Sequence, residues 1–154
     1  MIPKKLTENK MQKNNTLPAR KVVLSIHKNF LDKILAGEKT IEVRRSFPKK
    51  LPLPFTILFY ETGNGGGTKR IRAKATCNGF DLLHIADFQR EQMETLKAFS
   101  QKSCLSHAAL SEYIGQRQVL FGWRLENIVP LDSDLDEVGV RRAPQSWCYT
   151  YIER

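Results

Sequence analysis

Short apolar runs separated by turns set the first expectation for the fold. Residues 21–26 (KVVLSI) are β-branched and aliphatic, which is typical of a buried strand. Residues 40–47 instead alternate between apolar and charged side chains, which predicts a half-exposed strand with Glu42 and Arg44 on its open side. Further strands are predicted at residues 55–61, 69–77, 118–129 and 145–152.

Helical periodicity appears between these strands. Apolar residues recur at helical spacing over residues 27–36, and Gly37 follows as a C-terminal stop. A second helical pattern covers residues 82–100. A third helix is predicted to begin after the N-cap Ser106 and to end at Gly115.

The count of elements defines the expected architecture. About six strands with two or three helices, in irregular alternation, favour an α+β fold in which a small mixed β-barrel carries its helices outside. A doubly wound parallel sheet is the weaker alternative. Residues 62–68 (TGNGGGT) are predicted to form a hairpin turn. Residues 1–19 are polar and lack periodicity, so we expect a disordered leader followed by one domain over residues 20–154.

Charge adds a possible partner to this picture. The 154-residue chain carries a formal charge of +9. Six Lys or Arg and one acid in the first 21 residues give +5 there and leave +4 for the rest. Such basic segments attract RNA, DNA, a ribosome or any anionic surface, although solubility is an equal explanation of a basic tail.

Cysteine spacing and hydropathy narrow the classes of function. The three cysteines, Cys77, Cys104 and Cys148, form no CxxC pair, so neither a metal site nor a cofactor is expected. No segment has the length and hydropathy of a membrane span or a secretory signal. We therefore expect a cytoplasmic protein with free thiols.

One cluster of charged residues is the strongest candidate for a functional site. Lys39, Glu42 and Arg44 lie within six residues, and the last two share a strand face. Arg offers a planar fork for phosphate or carbonyl oxygens, and Glu accepts hydrogen bonds from an exocyclic amine such as cytosine N4. Lys can hold a phosphate or, when desolvated, act as nucleophile or base. The alternative is an exposed Glu–Arg pair worth less than about 1 kcal/mol.

The surrounding sequence resembles a known family. A strand, a helix and then Gly37, Lys39, Glu42 and Arg44 match the G-x-K-x-x-E-x-R signature of the ASCH domain, in the PUA-like superfamily. The resemblance covers residues 21–152. It implies a PUA-like β-barrel with a cleft lined by the signature, which binds RNA or a modified nucleoside.

The same resemblance raises the possibility of catalysis. One branch of the family hydrolyses N4-acetylcytidine with a Lys, a Thr three residues later and a distant Glu. Only Lys39 matches here, because Glu42 replaces the Thr and residues 101–104 (QKSC) lack the acid. Binding is therefore favoured over a hydrolase or ribonuclease that uses Lys39 as base or nucleophile with Glu42. A regulatory protein-interaction module is the third hypothesis.

Further residues are candidates for the same ligand. Ser25 and His27 end the first strand and can line the cleft. Tyr60 and Trp147 are aromatic residues that can stack on a base, although each is more often a core residue. The alternation of Arg70, Arg72 and Lys74 on one strand face predicts either a phosphate-backbone track or a solvated face.

Overall fold

A six-stranded sheet forms the centre of the fold. The computed structural model describes residues 21–89 and 93–150. The strands are β1 (Lys21–Ile26), β2 (Ile41–Arg44), β3 (Phe55–Glu61), β4 (Ile71–His84), β5 (Val119–Ser133) and β6 (Trp147–Thr150). Their spatial order is β2-β5-β4-β3-β1-β6, with β1 and β3 parallel and the other neighbours antiparallel. The sheet curls into a half-barrel, so the predicted mixed barrel is confirmed.

Three α-helices pack outside the sheet. They are α1 (Lys28–Leu35), α2 (Met93–Ser103) and α3 (His107–Ile114). Helix α1 buries Leu31 and Ile34, which lie three residues apart on one face. The predicted N-cap of α3 is confirmed, since the Ser106 hydroxyl accepts a hydrogen bond from the N–H of Ala109.

Burial divides the core into three clusters. The largest lies inside the curl between β1, β3, β4 and α1, and it contains the fully buried side chains of Trp123 and Phe59. The second packs α2 and α3 against β2 and β5, around Phe99 and Leu110. The third covers the outer side of β1 and β3 with Val138 and Val140. Both faces of β1 and β3 are thereby buried, which explains their continuous apolar sequences.

The structure corrects three boundaries. Residues 82–84 belong to β4 and Ile85–Phe88 form a short 3₁₀ helix, so the predicted single helix over residues 82–100 is wrong. The antiparallel pairing of β4 with β5 continues to His84, so residues 82–84 are in a strand although the apolar residues of this region are spaced like those of a helix. The strand predicted over residues 40–47 is only Ile41–Arg44, and β5 extends to Ser133. The predicted leader lies outside the described residues.

Candidate functional site

A sharp turn after α1 places the signature residues under that helix. Gly37 adopts φ +81°, a conformation that glycine reaches without strain, and the chain turns back towards the sheet. The N–H of Thr40 then donates to the carbonyl of Lys102 at the end of α2. Lys39 is therefore held between α1 and α2, directly before β2 carries Glu42 and Arg44.

Lys39, Glu42 and Arg44 form one buried ion network. The Glu42 carboxylate lies 3.2 Å from Lys39 Nζ, and it also accepts from Arg44 Nε at 2.8 Å. The side chains of Lys39 and Glu42 are 2% and 9% exposed. The alternative of an exposed Glu–Arg pair is thus wrong, because Lys39 and the segments that contain Ser25 and Ser146 contact the side chains that the alternation pattern assigned to solvent.

Charge balance determines the protonation of this network. Burial acts to raise the pKa of Glu42, but the adjacent Lys39 and Arg44 outweigh it and hold the pKa below its ordinary value of 4.5. Glu42 is therefore a carboxylate at neutral pH, compensated by two cations.

Arg44 joins the ends of three segments. Its Nη2 donates to the Ser25 carbonyl at 2.7 Å, and its Nη1 donates to the carbonyl and hydroxyl of Ser146 at 3.2 and 3.1 Å. With Nε on Glu42, every guanidinium nitrogen has a protein acceptor. Arg44 therefore connects β2 to β1 and to the segment before β6, although β2 and β6 are opposite edges of the sheet.

These residues border a cavity of about 350 Å³ between β1, β2, α1 and α3. This volume is within the range of small-ligand sites. The walls combine the aromatic rings of Phe30 and Tyr113 with a few polar groups. The complete lining is Ser25, Ile26, His27, Phe30, Lys39, Glu42, Val43, Arg44, Thr62, Leu105, Ala109, Tyr113 and Gln145.

The cavity presents a hydrogen-bond donor beside an acceptor. A lysine ammonium has three N–H groups. Those of Lys39 have two acceptors among the described residues, Ser103 O at 2.6 Å and the Glu42 carboxylate, which leaves one N–H. A carboxylate has roughly four acceptor positions, and among the described residues that of Glu42 contacts only Lys39 Nζ and the Nε and Nη2 of Arg44.

The structure brings most of the predicted ligand residues together but separates two of them. Ser25, His27 and the three signature residues line the same cavity, a convergence that every cleft hypothesis requires. Tyr60 is instead buried in the outer cluster. Trp147 lies against Trp123 and Tyr149 and donates to the Ser46 hydroxyl, and it does not line the cavity. From the loop before Trp147, Gln145 lines the cavity instead.

The basic residues near the start of β4 have acidic partners. Arg70 donates to Asp132 at 2.5 Å, and Arg72 lies between Glu61 and Asp32. A phosphate at Arg70 or Arg72 would have to compete with these carboxylates, whereas Lys74 is exposed.

Several wall residues escaped the sequence interpretation. The sequence predicts Phe30, Ala109 and Tyr113 only as parts of helices. The four-residue spacing of Ala109 and Tyr113 places them on one helix face, which was the available signal. Thr62 and Gln145 belong to loops and carried no signal of this kind.

The described residues contain neither a membrane-spanning helix nor a metal-binding cluster. In residues 21–89 and 93–150, none of the helices is long and apolar enough to span a membrane. The same residues contain no group of three or more His, Cys, Asp or Glu side chains arranged to hold a metal ion.

Comparison with solved structures defines the class of fold. A serine-to-alanine variant of an ASCH protein from Zymomonas mobilis matches with a TM-score of 0.69 and 19% identity, over 86% of this chain and 89% of that chain. The unsubstituted Zymomonas mobilis protein gives 0.67 and 22% identity over 84% and 87%. A tyrosine-to-phenylalanine variant gives 0.66 and 22% identity over 84% and 89%.

These matches place the chain in a class of α+β folds built on a curled six-stranded sheet. Within that class, its fold is that of an ASCH domain over most of its length. No model of a protein family matches the sequence, and no curated protein sequence matches it either. The fold is therefore established by structure at identities of 19% to 22%.

Proposed function

We propose that this protein binds RNA by taking one nucleobase, plain or modified, into the cavity beside Lys39 and Glu42. The observation that carries the proposal is the buried donor–acceptor pair of these two residues in a cavity of about 350 Å³. ASCH-like architecture and the basic charge of the chain support the same class of ligand.

The hydrogen-bonding pattern favours a particular base edge. Glu42 accepts from an exocyclic amine, and the remaining N–H of Lys39 donates to the adjacent ring nitrogen or carbonyl oxygen. Cytosine and adenine both present an amine next to an acceptor. Bases without an exocyclic amine leave the Glu42 carboxylate without a donor, which costs binding energy in a buried site.

Aromatic walls support the binding of a planar ligand. Phe30 and Tyr113 both line the cavity, and Arg45 lies 4.2 Å from the Tyr113 ring. Stacking on such rings contributes about 1–3 kcal/mol per base in single-strand binders.

Arg44 has a different role from the one that its sequence position indicated. It was expected to bind phosphate or a carbonyl oxygen, but its guanidinium nitrogens already have acceptors in the protein. In this proposal Arg44 orients the Glu42 carboxylate and holds the cavity walls together.

A cavity-filling substitution tests the proposal without disturbing the ion network. Ala109 lines the cavity, whereas Ala108 on the same helix is exposed. Ala109→Phe should occupy the base position and weaken binding of a short cytosine-containing RNA about 5- to 150-fold, the range that one stacked base contributes. Ala108→Phe is the matched control and should bind like the unchanged protein.

Fluorescence anisotropy with labelled RNA measures these affinities. Equal binding by the Ala109→Phe and Ala108→Phe proteins would show that no base enters the cavity. A second arm compares cytidine with uridine by calorimetry, and a preference for uridine would contradict the assigned roles of Glu42 and Lys39.

Hydrolysis of an acylated nucleoside is a second candidate function. The observation in its favour is that a buried lysine and carboxylate, 3.2 Å apart, face the same cavity. With Lys39 as base and Glu42 as its partner, Lys39 would accept a proton from water as the oxygen adds to the acyl carbon, and the leaving amine would take that proton. The engagement of Lys39 Nζ by two acceptors makes binding the stronger proposal.

Turnover separates the two functions. Release of acetate from N4-acetylcytidine that disappears in Lys39→Met would establish the hydrolase. Tight binding of RNA without any such release would leave the binding function alone. Absence of both activities would favour a protein-interaction module.

A further inference from the structure

Two acid-free segments carry exposed cations that have no acidic partner among the described residues. Residues 45–60 contain Arg45, Lys49 and Lys50 and no acid, and residues 138–150 contain Arg141 and Arg142 and no acid. All five side chains belong to exposed residues. Within the described chain, none of the five is paired with a carboxylate. We call these five residues the basic rim.

Direct contacts join the two segments of the basic rim. Trp147 Nε1 donates to the Ser46 hydroxyl at 3.0 Å. The Tyr149 hydroxyl accepts from the backbone N–H groups of Lys49 and Lys50 at 3.0 and 3.1 Å. Lys50 Nζ also lies 5.7 Å from the centre of the Tyr149 ring. Lys49 and Lys50 therefore lie beside the half-buried ring of Tyr149, which contacts Trp147.

Both segments of the basic rim lie next to residues that line the cavity. Arg45 follows the cavity residue Arg44, and its guanidinium stacks on Tyr113, another cavity residue. On the second segment, Gln145 lines the cavity. Arg142 precedes it by three residues in the chain. The Pro144 carbonyl accepts from the Ser25 hydroxyl at 2.6 Å, which fixes this segment to the cavity wall.

Three arginines elsewhere on the sheet are neutralised locally. Arg70, Arg72 and Arg124 each form an ion pair with an aspartate or a glutamate. A polyanion therefore gains more by contacting the unpaired basic rim, because no carboxylate has to be displaced there.

We propose that the basic rim binds the phosphodiester backbone of a single-stranded RNA whose base occupies the cavity. This inference rests on the proposed function and deepens it, because it assigns the path of the RNA strand and makes that strand single. The strand is single because a base can enter the cavity between β1, β2, α1 and α3 only when it is unstacked and unpaired. Trp147 and Tyr149 offer ring faces and edges beside this path.

Charge-removal variants test the path. Arg141→Gln/Arg142→Gln and Lys49→Gln/Lys50→Gln each remove two cations of the basic rim. Lys97→Gln/Lys102→Gln removes two exposed cations of α2 and is the charge-matched control. The full chain is used, so the basic residues before β1 contribute equally to every protein. Circular dichroism and thermal unfolding confirm that each variant is folded.

Salt dependence provides the quantitative readout. Each phosphate contact on a single strand contributes about 0.7 to the slope of log K against log salt. Each rim variant should lower the slope by about 1.4 and weaken binding at about 0.1 M salt by about 25-fold. The control should keep the original slope, and the affinity for free cytidine should not change. An unchanged slope in both rim variants, or an equal loss in the control, would overturn the proposal.

The two proposals fail in different ways. If only the cavity proposal is wrong, Ala109→Phe binds normally while the rim variants lose affinity. If only the path is wrong, the rim variants bind normally while Ala109→Phe loses affinity. A single-stranded DNA of the same sequence completes the test, and tighter binding of DNA than of RNA would overturn the choice of RNA.

Discussion

Replacement of Glu42 by glutamine tests the energetic role of the buried network. Glu42 contacts Lys39 Nζ and two nitrogens of Arg44, at distances from 2.7 to 3.2 Å. Glu42→Gln keeps the shape of the side chain and one carbonyl oxygen. It removes the negative charge and directs an amide group at cations that cannot accept a hydrogen bond.

The expected loss of stability follows from burial. The side chains of Lys39 and Arg44 are only 2% and 11% exposed, so water cannot replace the carboxylate. Removal of one partner from a buried ion pair costs about 3–5 kcal/mol. We expect Glu42→Gln to lower the free energy of unfolding by about 3 kcal/mol, because Ser103 and Ser146 still accept from the two cations.

Urea unfolding followed by circular dichroism measures this change. Glu112→Gln is the control, because Glu112 is exposed on α3 and should alter stability by less than about 0.5 kcal/mol. Lys39→Met completes a double-mutant cycle, and its cost should be smaller in the Glu42→Gln background. A loss below about 1 kcal/mol for Glu42→Gln would refute the assignment of a buried network.

The pH dependence of stability tests the charge of the Glu42 carboxylate independently. The pKa of Glu42 is lowered in the folded protein, so its contribution to stability is present above the ordinary value of 4.5. That contribution is lost as the pH falls below 4.5 and through the folded pKa. The stability difference between the unchanged protein and Glu42→Gln should therefore shrink on acidification, and a difference that grows would contradict the charge assignment.

Three further substitutions test the fold around the site. Gly122→Ala should lower stability by about 1–3 kcal/mol in urea unfolding, because the new Cβ would lie 2.8 Å from the buried Phe99 ring. Ser106→Ala removes the N-cap of α3 and should cost about 1 kcal/mol in the same assay, whereas Ser106→Asp should restore most of it. Glu61→Gln weakens the acceptor of the Thr68 N–H, so hydrogen exchange at that amide should accelerate; an unchanged rate would show that the 2.7 Å contact does not protect it.

Local patterns were sufficient to predict the elements whose burial is simple. Strands β1 and β3 are apolar throughout because both faces are covered. Helix α3 carries its start signal in Ser106 and its stop signal in Gly115. The long strands β4 and β5 were predicted too short. Their pairing shifts register at several points, and such bulges interrupt the alternation that a sequence pattern relies on.

The site shows the same limit of local information. Lys39, Glu42 and Arg44 lie within six residues, so their clustering was visible in the sequence. Their burial was not, since it depends on Ser103, Ser25 and Ser146, which are distant in sequence and contact Lys39 and Arg44. Gln145 reaches the cavity from a segment that is distant in sequence and folds against β1. Only tertiary contacts determine which distant loops complete a cavity.

The placement of Arg44 has a consequence for the order in which the site is assembled. Its acceptors include Ser25 and Ser146, so one side chain depends on segments from both halves of the chain. During synthesis the segment that contains Ser146 and β6 emerges after β1 to β5, and β6 then pairs with β1. Until that pairing forms, Arg44 lacks two acceptors and Gln145 is missing from the cavity wall. A nascent chain that ends before Gln145 and β6 is therefore expected to lack one part of the cavity wall and two of the acceptors that hold Arg44 in place.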